Sequence, residues 1–355
     1  MTQHPDPPAT LADVARRAGV SPATVSRVLN GNYPVALDTA ARVQRAVTEL
    51  SYVVNGNARA LAAATSDLVG IIVNDVADPF FGLIASGIQD ETGGTDVLAI
   101  IGNTAGAPDR ELRYLTLLRR QRARAVVLTG GTVDSPDHLR AVATQVSALV
   151  SAGTTVVLCG RPPLAGADHG PLAGVSTVDF DNRGGGQALT AHLIALGHRR
   201  IGYVAGPANR TTTKLRVLGH QDALKRHGLG GTDCPVVSGD FSRGTGESAT
   251  AELLRQRPDL TAIVAGNDTI ALGVCAYLRS QGRTVPADVS VAGFDDLPFS
   301  ADAVPALTTV RLPLIEAGRT AGRLALGRQL PPPGGIFPVP AELVVRASTA
   351  PVRGI

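Results

Sequence analysis

Residues 10–32 read TLADVARRAGVSPATVSRVLNGN, and this stretch decides how the chain begins to fold. Thr10, followed three residues later by Asp13, is a capping pair for a helix. Leu11, Val14, Ala15 and Ala18 then recur at i, i+3, i+4 and i+7, one apolar stripe over two turns, and Gly19 stands where a left-handed C-terminal cap is wanted. Ser21 is an N-cap residue for a second helix, with Pro22 at the first helical position, which needs no amide hydrogen. Val25, Val28 and Leu29 give that helix an inward face before Asn30-Gly31 stops it. Two short helices joined by a Gly-Val-Ser turn form a helix-turn-helix. A third helix starting near Asp38 and carrying Val43, Val47 and Leu50 closes a small three-helix core. The pattern by itself leaves DNA binding and a purely structural role equally open.

Outward from this unit the texture changes twice. Residues 57–64 are rich in alanine without a matching apolar face, and read as a connector. From Leu68 onward, short Val/Ile/Leu runs alternate with amphipathic stretches: LVGIIV and residues 80–89, VLAIIG and 110–122, AVVLTG and 138–152, then TVVLCG. After Pro162-Pro163 the rhythm restarts with VSTVDF, RIGYVAG, VVSGDF, TAIVAGND and VSVAGFDD, interleaved with helices predicted at 186–196, 215–227, 248–256 and 270–281. Repeated βα units imply parallel sheets covered on both faces. Two such halves in tandem make a cleft between their strand C-terminal ends, where open α/β sheets bind small molecules.

With 355 residues, the chain suits two or three domains, and 44% hydrophobic against 18% charged residues excludes disorder as a description of the whole. Its longest apolar runs, such as Leu68 to Val73, fall far short of the ~18–20 residues that span a bilayer. The first twenty residues lack a signal-peptide pattern, so the reading predicts a cytoplasmic protein that crosses no membrane. Cys159, Cys234 and Cys275 are odd in number and never form C-x-x-C, which suggests neither a disulfide framework nor a metal site. The formal net charge is +3, and most of that excess lies before Thr65, where Arg16, Arg17, Arg27, Arg42, Arg45 and Arg59 face Asp6, Asp13, Asp38 and Glu49. A weakly basic N-terminus hints at nucleic acid.

No phosphate-binding lysine loop, zinc-protease pair or nucleophile elbow occurs. Residues 244–249, GTGESA, match a dinucleotide-binding pattern but come late in the chain and read as a helix start, so no cofactor is expected. His192 and His198 flank a helix end, unspaced with any other ligand, and read as capping or surface histidines. Asp240, Asp268, Asp295 and Asp296 each follow a predicted strand and so gather at one sheet edge. With no nucleophile or metal beside them, they favour ligand binding over catalysis, and Phe80, Phe81, Phe241, Phe294 and Phe299 add ring faces for a sugar or base, though several of these fill the core.

TLADVARRAGVSPATVSRVLNGN followed by ELSYVVNGNARAL resembles the DNA-binding headpiece and hinge of the LacI/GalR repressor family. DPFF, GHRRIGYVAGP, TAIVAGND, ALG, VPADVSVAGFDD, PALTTV and ELVVRAST resemble, in order, that family's effector domain, whose core is like a periplasmic sugar-binding protein. The resemblance spans roughly residues 10 to 350. It implies an α/β protein: a helix-turn-helix headpiece over residues 1–52, a hinge over 53–66, and a two-lobed core of doubly wound parallel sheets over 67–355. Lobe one is expected at 67–163 with 296–326, and lobe two at 164–295 with 327–350.

The resemblance also implies roles. The second helix enters the major groove of a pseudo-palindromic operator in double-stranded DNA, with Pro22, Ala23 and Arg27 reading bases and Ser21, Thr24, Ser26 and Asn30 touching phosphates. Leu61 is the hinge wedge that enters the minor groove. Phe80, Arg216, Phe241, Asn267 and Asp295 contact a small carbohydrate-type effector between the lobes. The sequence departs from the family at Val54, at Ala62-Ala63-Ala64, at Arg124-Ala125 and at His220, where a bulky aromatic or apolar residue is usual. Without leucine heptads at the C-terminus, a homodimer is expected. The rivals are a regulator using a nucleoside or other co-repressor, a sugar-transport protein, which the helix-turn-helix argues against, and a dehydrogenase, which would need a phosphate-binding turn where Asn74 to Pro79 stand.

Overall fold

The computed structural model describes residues 9–30, 34–52, 66–166 and 170–352. The chain divides into two compact units, Met1–Asp67 and Leu68–Ile355. Of the expected hinge, residues 53–65, with Val54, Leu61 and the Ala62–Ala64 run, lie outside the described residues, and residue 66 already belongs to the first strand.

The first unit holds α1 (Leu11–Ala18), α2 (Pro22–Asn30) and α3 (Leu37–Glu49). Thr10 and Asp13 form the reciprocal capping box, and Gly19 adopts φ +64 at the C-cap, as the spacing predicted. Val14, Ala15, Ala18, Val25, Val43 and Ala46 are buried together, so the stripe on each helix meets the other two.

The second unit contains the βα repeats. Its larger sheet runs in the order β11 (Ile336–Val339), β5 (Val175–Phe180), β4 (Thr155–Cys159), β3 (Ala123–Thr129), β1 (Ser66–Val73), β2 (Leu98–Asn103). The smaller sheet runs β7 (Val236–Ser238), β6 (Ile201–Ala205), β8 (Ala262–Ala265), β9 (Ser290–Ala292), all its pairs parallel. β10 (Thr309–Arg311) and β12 (Glu342–Val344) form an antiparallel pair, and an isolated bridge ties Thr308 to Ala292 at the edge of the smaller sheet.

This topology moves the expected lobe boundaries. Val156 to Cys159 pair with Val175 to Val178, so β5 belongs to the first lobe, and the chain first crosses after Phe180 rather than near Pro163. It returns after Leu312, where α12 (Leu314–Ala325) packs beside α4 (Pro79–Thr92), and crosses again after Val339, because β11 pairs with β5. Crossings expected near 163, 295 and 326 thus all fall later. Proline marks where a turn lies, but not which sheet the next strand joins, and parallel partners are distant in sequence.

Six helices cover the sheets besides: α5 (Pro108–Arg120), α6 (Pro136–Ser151), α7 (Asn182–Ala195), α8 (Thr211–Arg226), α9 (Arg243–Gln256) and α10 (Asp268–Ser280), with a short α11 (Phe299–Asp302). Three helix pairs meet through facing glycines. A Cβ on Gly87 would lie 2.1 Å from Ile315 O, on Gly219 2.0 Å from Arg183 O, and on Gly246 2.2 Å from Ile270 O. Backbones approach here closer than any side chain permits. No helix among the described residues is long and apolar enough to cross a membrane.

Candidate DNA-reading face and effector cleft

On α2, Ser21 caps the helix by accepting from Thr24 N at 3.1 Å, and its hydroxyl lies 2.9 Å from that of Thr24. Ser21, Pro22, Ala23 and Arg27 are exposed, Thr24 and Ser26 are half-buried, and Val25 is fully buried opposite them. The residues expected to read bases therefore lie on the outward side of a helix whose other side is locked into the three-helix core. Asn30 is its last residue.

In the second unit, the loops leaving the C-terminal ends of β1, β2 and β3 face those leaving β6, β7, β8 and β9 across a cavity of about 740 Å³. All five residues expected there, Phe80, Arg216, Phe241, Asn267 and Asp295, line it. Arg216 on α8 is 2% exposed and organises one wall. Its Nε donates to Asn182 Oδ1 at 2.8 Å, Nη1 to Gly266 O at 2.7 Å and Nη2 to Asp295 Oδ1 at 2.6 Å, while the guanidinium lies 3.7 Å above the Phe294 ring. Three of the five N–H groups of the arginine are thus committed to the protein. Burial pushes the Asp295 carboxyl up from its ordinary value, and Arg216 opposes that push. Asp295 holds φ +103, a conformation costly for a residue with a Cβ, and its backbone N donates to Val310 O at 2.8 Å.

Asn267 caps α10, its Oδ1 accepting from Ile270 N at 2.8 Å, which leaves the amide nitrogen as donor. Phe241 packs over Gly206 so tightly that a Cβ there would lie 2.3 Å from the ring. Phe80 is 8% exposed and meets Phe81 and Phe180 edge-on, so most of its ring belongs to the core and only its margin to the cleft.

The cleft also holds residues not singled out in advance: Asn74, Asp75, Asp78, Asn209, Arg210 and Arg243 among them. Asp78 caps α4 by accepting from Phe80 N at 3.0 Å, and burial lifts its carboxyl to about 6. A polar residue just after a strand and just before a helix was the available signal, because the turns after β1, β6 and β7 open on the cleft.

Of the four carboxylates expected at one edge, only Asp240 and Asp295 line the cavity. Asp268 instead accepts from Leu297 N, Ser300 Oγ and Thr309 Oγ1 at 2.6–2.8 Å and fastens the turn after β9, while Asp296 pairs with Arg311 and Arg346 at 2.7 Å. Phe294 lies under Arg216, and Phe299 packs against the core. His220 is wholly buried, its Nδ1 2.9 Å from Thr190 Oγ1 and its ring 4.9 Å from Tyr203, and burial lowers it to about 3. It fills the core behind α8 rather than lining the cleft, so its departure from the family bears on packing. His198 is likewise buried, bonded to Thr261 and Ala350, rather than a surface residue. Residues 244–249 start α9, whose N-cap Ser242 accepts from Thr245 N at 3.1 Å.

Both parts of the chain match known proteins. Residues 10–55 match the family model for bacterial regulatory proteins of the lacI family, and residues 190–349 match that of a periplasmic binding protein-like domain. The chain is 35% identical to the HTH-type transcriptional regulator GalR of Escherichia coli (strain K12) over 333 residues, 93% of each protein. It superposes on the lac repressor dimer bound to operator and the anti-inducer ONPF with a TM-score of 0.77 and 27% identity, covering 97% of this chain and 100% of that one. It superposes on the CelR–cellobiose complex with a TM-score of 0.67 and 33% identity, covering 96% and 99%. Like GalR, these relatives are named as transcriptional regulators or repressors, not as enzymes. A capped helix-turn-helix followed by two doubly wound lobes around a polar cleft, matched along nearly its whole length, makes the chain a member of the lacI family of bacterial regulatory proteins.

Proposed function

We propose that this chain is a cytoplasmic, homodimeric transcription repressor whose affinity for a pseudo-palindromic operator is set by an uncharged sugar held between the lobes. Ser21, Pro22, Ala23, Thr24, Ser26, Arg27 and Asn30 meet the DNA, Arg27 reading guanine through its bidentate fork, and Leu61 is the hinge wedge. Phe80, Arg216, Phe241, Asn267 and Asp295 hold the effector.

The observation that carries the effector class is the balance of charge in the cleft. Two of its arginines are committed to the protein, Arg216 to Asn182, Gly266 and Asp295, and Arg210 to the carbonyls of Gly106 and Gly131, while Arg243 sits 3.5 Å from Glu247. Asp75, Asp78 and Asp240 line the same cavity with no ion pair to an arginine or lysine among the described residues, and only Asp78 feels Arg216, at longer range. A wall of acceptors suits the hydroxyl donors of a neutral sugar and repels a sugar phosphate or nucleotide. A volume of about 740 Å³ leaves room for more than one ring.

Thermal-shift screening of the purified protein against mono- and disaccharides, sugar phosphates and nucleosides tests this. A ligand stabilises by RT ln(1 + [L]/Kd), about 2.7 kcal/mol at a hundredfold excess over Kd. A neutral sugar that stabilises the protein and releases selected operator DNA is the expected result. Stabilisation by phosphorylated compounds or nucleosides alone would overturn the effector class.

A further inference from the structure

Besides the crossing strands, the two lobes touch through a second set of contacts, made by the chain's own atoms at the cleft. The segment after β3 meets the segment before α8. Thr211 N donates to Thr132 O at 3.0 Å, Asp134 N to Asn209 O at 2.7 Å and Thr132 N to Thr211 Oγ1 at 3.1 Å, so Val133 and Arg210 face each other as an antiparallel bridge. Arg210 reaches back from the second lobe to donate to Gly106 O at 2.6 Å and Gly131 O at 3.3 Å. Lys214 Nζ lies 2.5 Å from Asp134 Oδ2.

Both carbonyls that accept from Arg210 belong to glycines, and the spacing explains why. A Cβ at Gly131 would lie 2.2 Å from Thr212 Oγ1, and one at Gly106 would lie 2.8 Å from Arg210 Nη2. The first-lobe half is braced from behind. Arg161, 1% exposed, donates to Gly130 O at 2.9 Å and Thr129 O at 3.2 Å and pairs with Glu111 at 2.6 Å. Burial raises the Glu111 carboxyl, but Arg161 and His138 together outweigh it and hold the group at about 2, so the brace stays ionised at neutral pH.

We infer that these contacts form a latch: residues 132–134 and 209–211 hold the lobes together, Arg210 fastens them, and Gly131 is the residue whose missing side chain lets them close. A polar seam of a few hydrogen bonds between loops opens far more readily than the sheets on either side of it. The lobe arrangement is therefore biased by the chain itself, and an effector acts on a population that the latch has already set. This deepens the effector reading but is tested without it.

Hydrogen exchange on the full-length protein, with neither sugar nor DNA added, reads the latch directly. The amides of Thr132, Asp134 and Thr211 should be protected in the wild type and exchange about tenfold faster or more in Gly131→Ala and in Arg210→Ala. Sheet amides such as those of Val127 and Val204 should not change. Arg210→Ala removes atoms rather than adding them, so it decides the matter if Gly131→Ala fails to fold. Rapid exchange at these amides in the wild type, or equal protection in the variants, would overturn the latch. A protein that binds no sugar can still show this protection, so the two readings fail separately.

Discussion

Arg216 Nη2 lies 2.6 Å from Asp295 Oδ1 in the cleft wall, and both side chains are almost wholly shut away from water. Asp295 is thus part of the second lobe's frame as well as a candidate ligand contact. Removing one member of a buried pair leaves the other charge uncompensated, at a cost of about 3–5 kcal/mol. Arg216 keeps Asn182, Gly266 and Phe294, which places Asp295→Ala at the lower end. Asp295→Asn should melt closer to the wild type, because asparagine tolerates positive φ and preserves the acceptor. Both variants should lose the response to sugar. Calorimetry showing unchanged sugar affinity, with an unchanged melting curve, would remove Asp295 from both roles.

Arg27 stands on the exposed side of α2, opposite buried Val25. Arg27→Ala should cost about 1–3 kcal/mol on the selected operator and relax preference at one base position in each half-site. Competition binding against a library randomised at single positions checks this. Equal weakening on operator and random DNA would make Arg27 a phosphate contact instead.

The headpiece was legible almost to the residue because its signals are local. Thr10-Asp13, Gly19 and Ser21-Pro22 each act within one turn, and each appears as read. Helices of the core were placed but started late: apolar faces suggested Arg110, His138 and Ser248, whereas α5, α6 and α9 begin at Pro108, Pro136 and Arg243. The first turn of each is announced by a proline or a capping serine rather than by its apolar face. Lobe membership was not legible, since β11 joins β5 across about 150 residues with nothing in either strand naming the other. Of the aspartates after strands, spacing alone did not separate Asp295, which faces the cleft, from Asp296, which turns to Arg311 and Arg346.

Asp78 supplies a pH signature. Burial raises its carboxyl to about 6 from an ordinary value of 3.8, so the folded state holds its proton more tightly than the unfolded chain. Its contribution is therefore most favourable below about 4 and is lost as pH rises through 6. Asp78→Asn keeps an acceptor for Phe80 N but removes the titration. At pH 4 the variant should melt with the wild type, and at pH 7 above it, by roughly 2–4 °C for each kcal/mol relieved. A constant difference between the two proteins from pH 4 to 7 would show that Asp78 does not titrate in this window.

Strand β2 is the edge of the larger sheet, yet Leu98 is 62% and Ile100 46% exposed, and Leu117 on neighbouring α5 is 41% exposed. An open edge carrying large aliphatic side chains invites pairing or aggregation unless something covers it. For a repressor that grips two half-sites, the fitting cover is a second copy, whose symmetric interface places the same residues on both sides. Ile100→Lys would then set two like charges near each other across the symmetry axis, whereas in a monomer it would only add a solvated side chain to an exposed position. The expected result is dissociation in sedimentation at micromolar concentration, an unchanged monomer melting profile, and a steep loss of operator affinity because each headpiece binds its half-site alone. Sugar affinity should hold, since the cleft lies within one protomer. A variant that remains dimeric would clear this strand of the interface and leave its exposed aliphatic residues without a partner in that assembly.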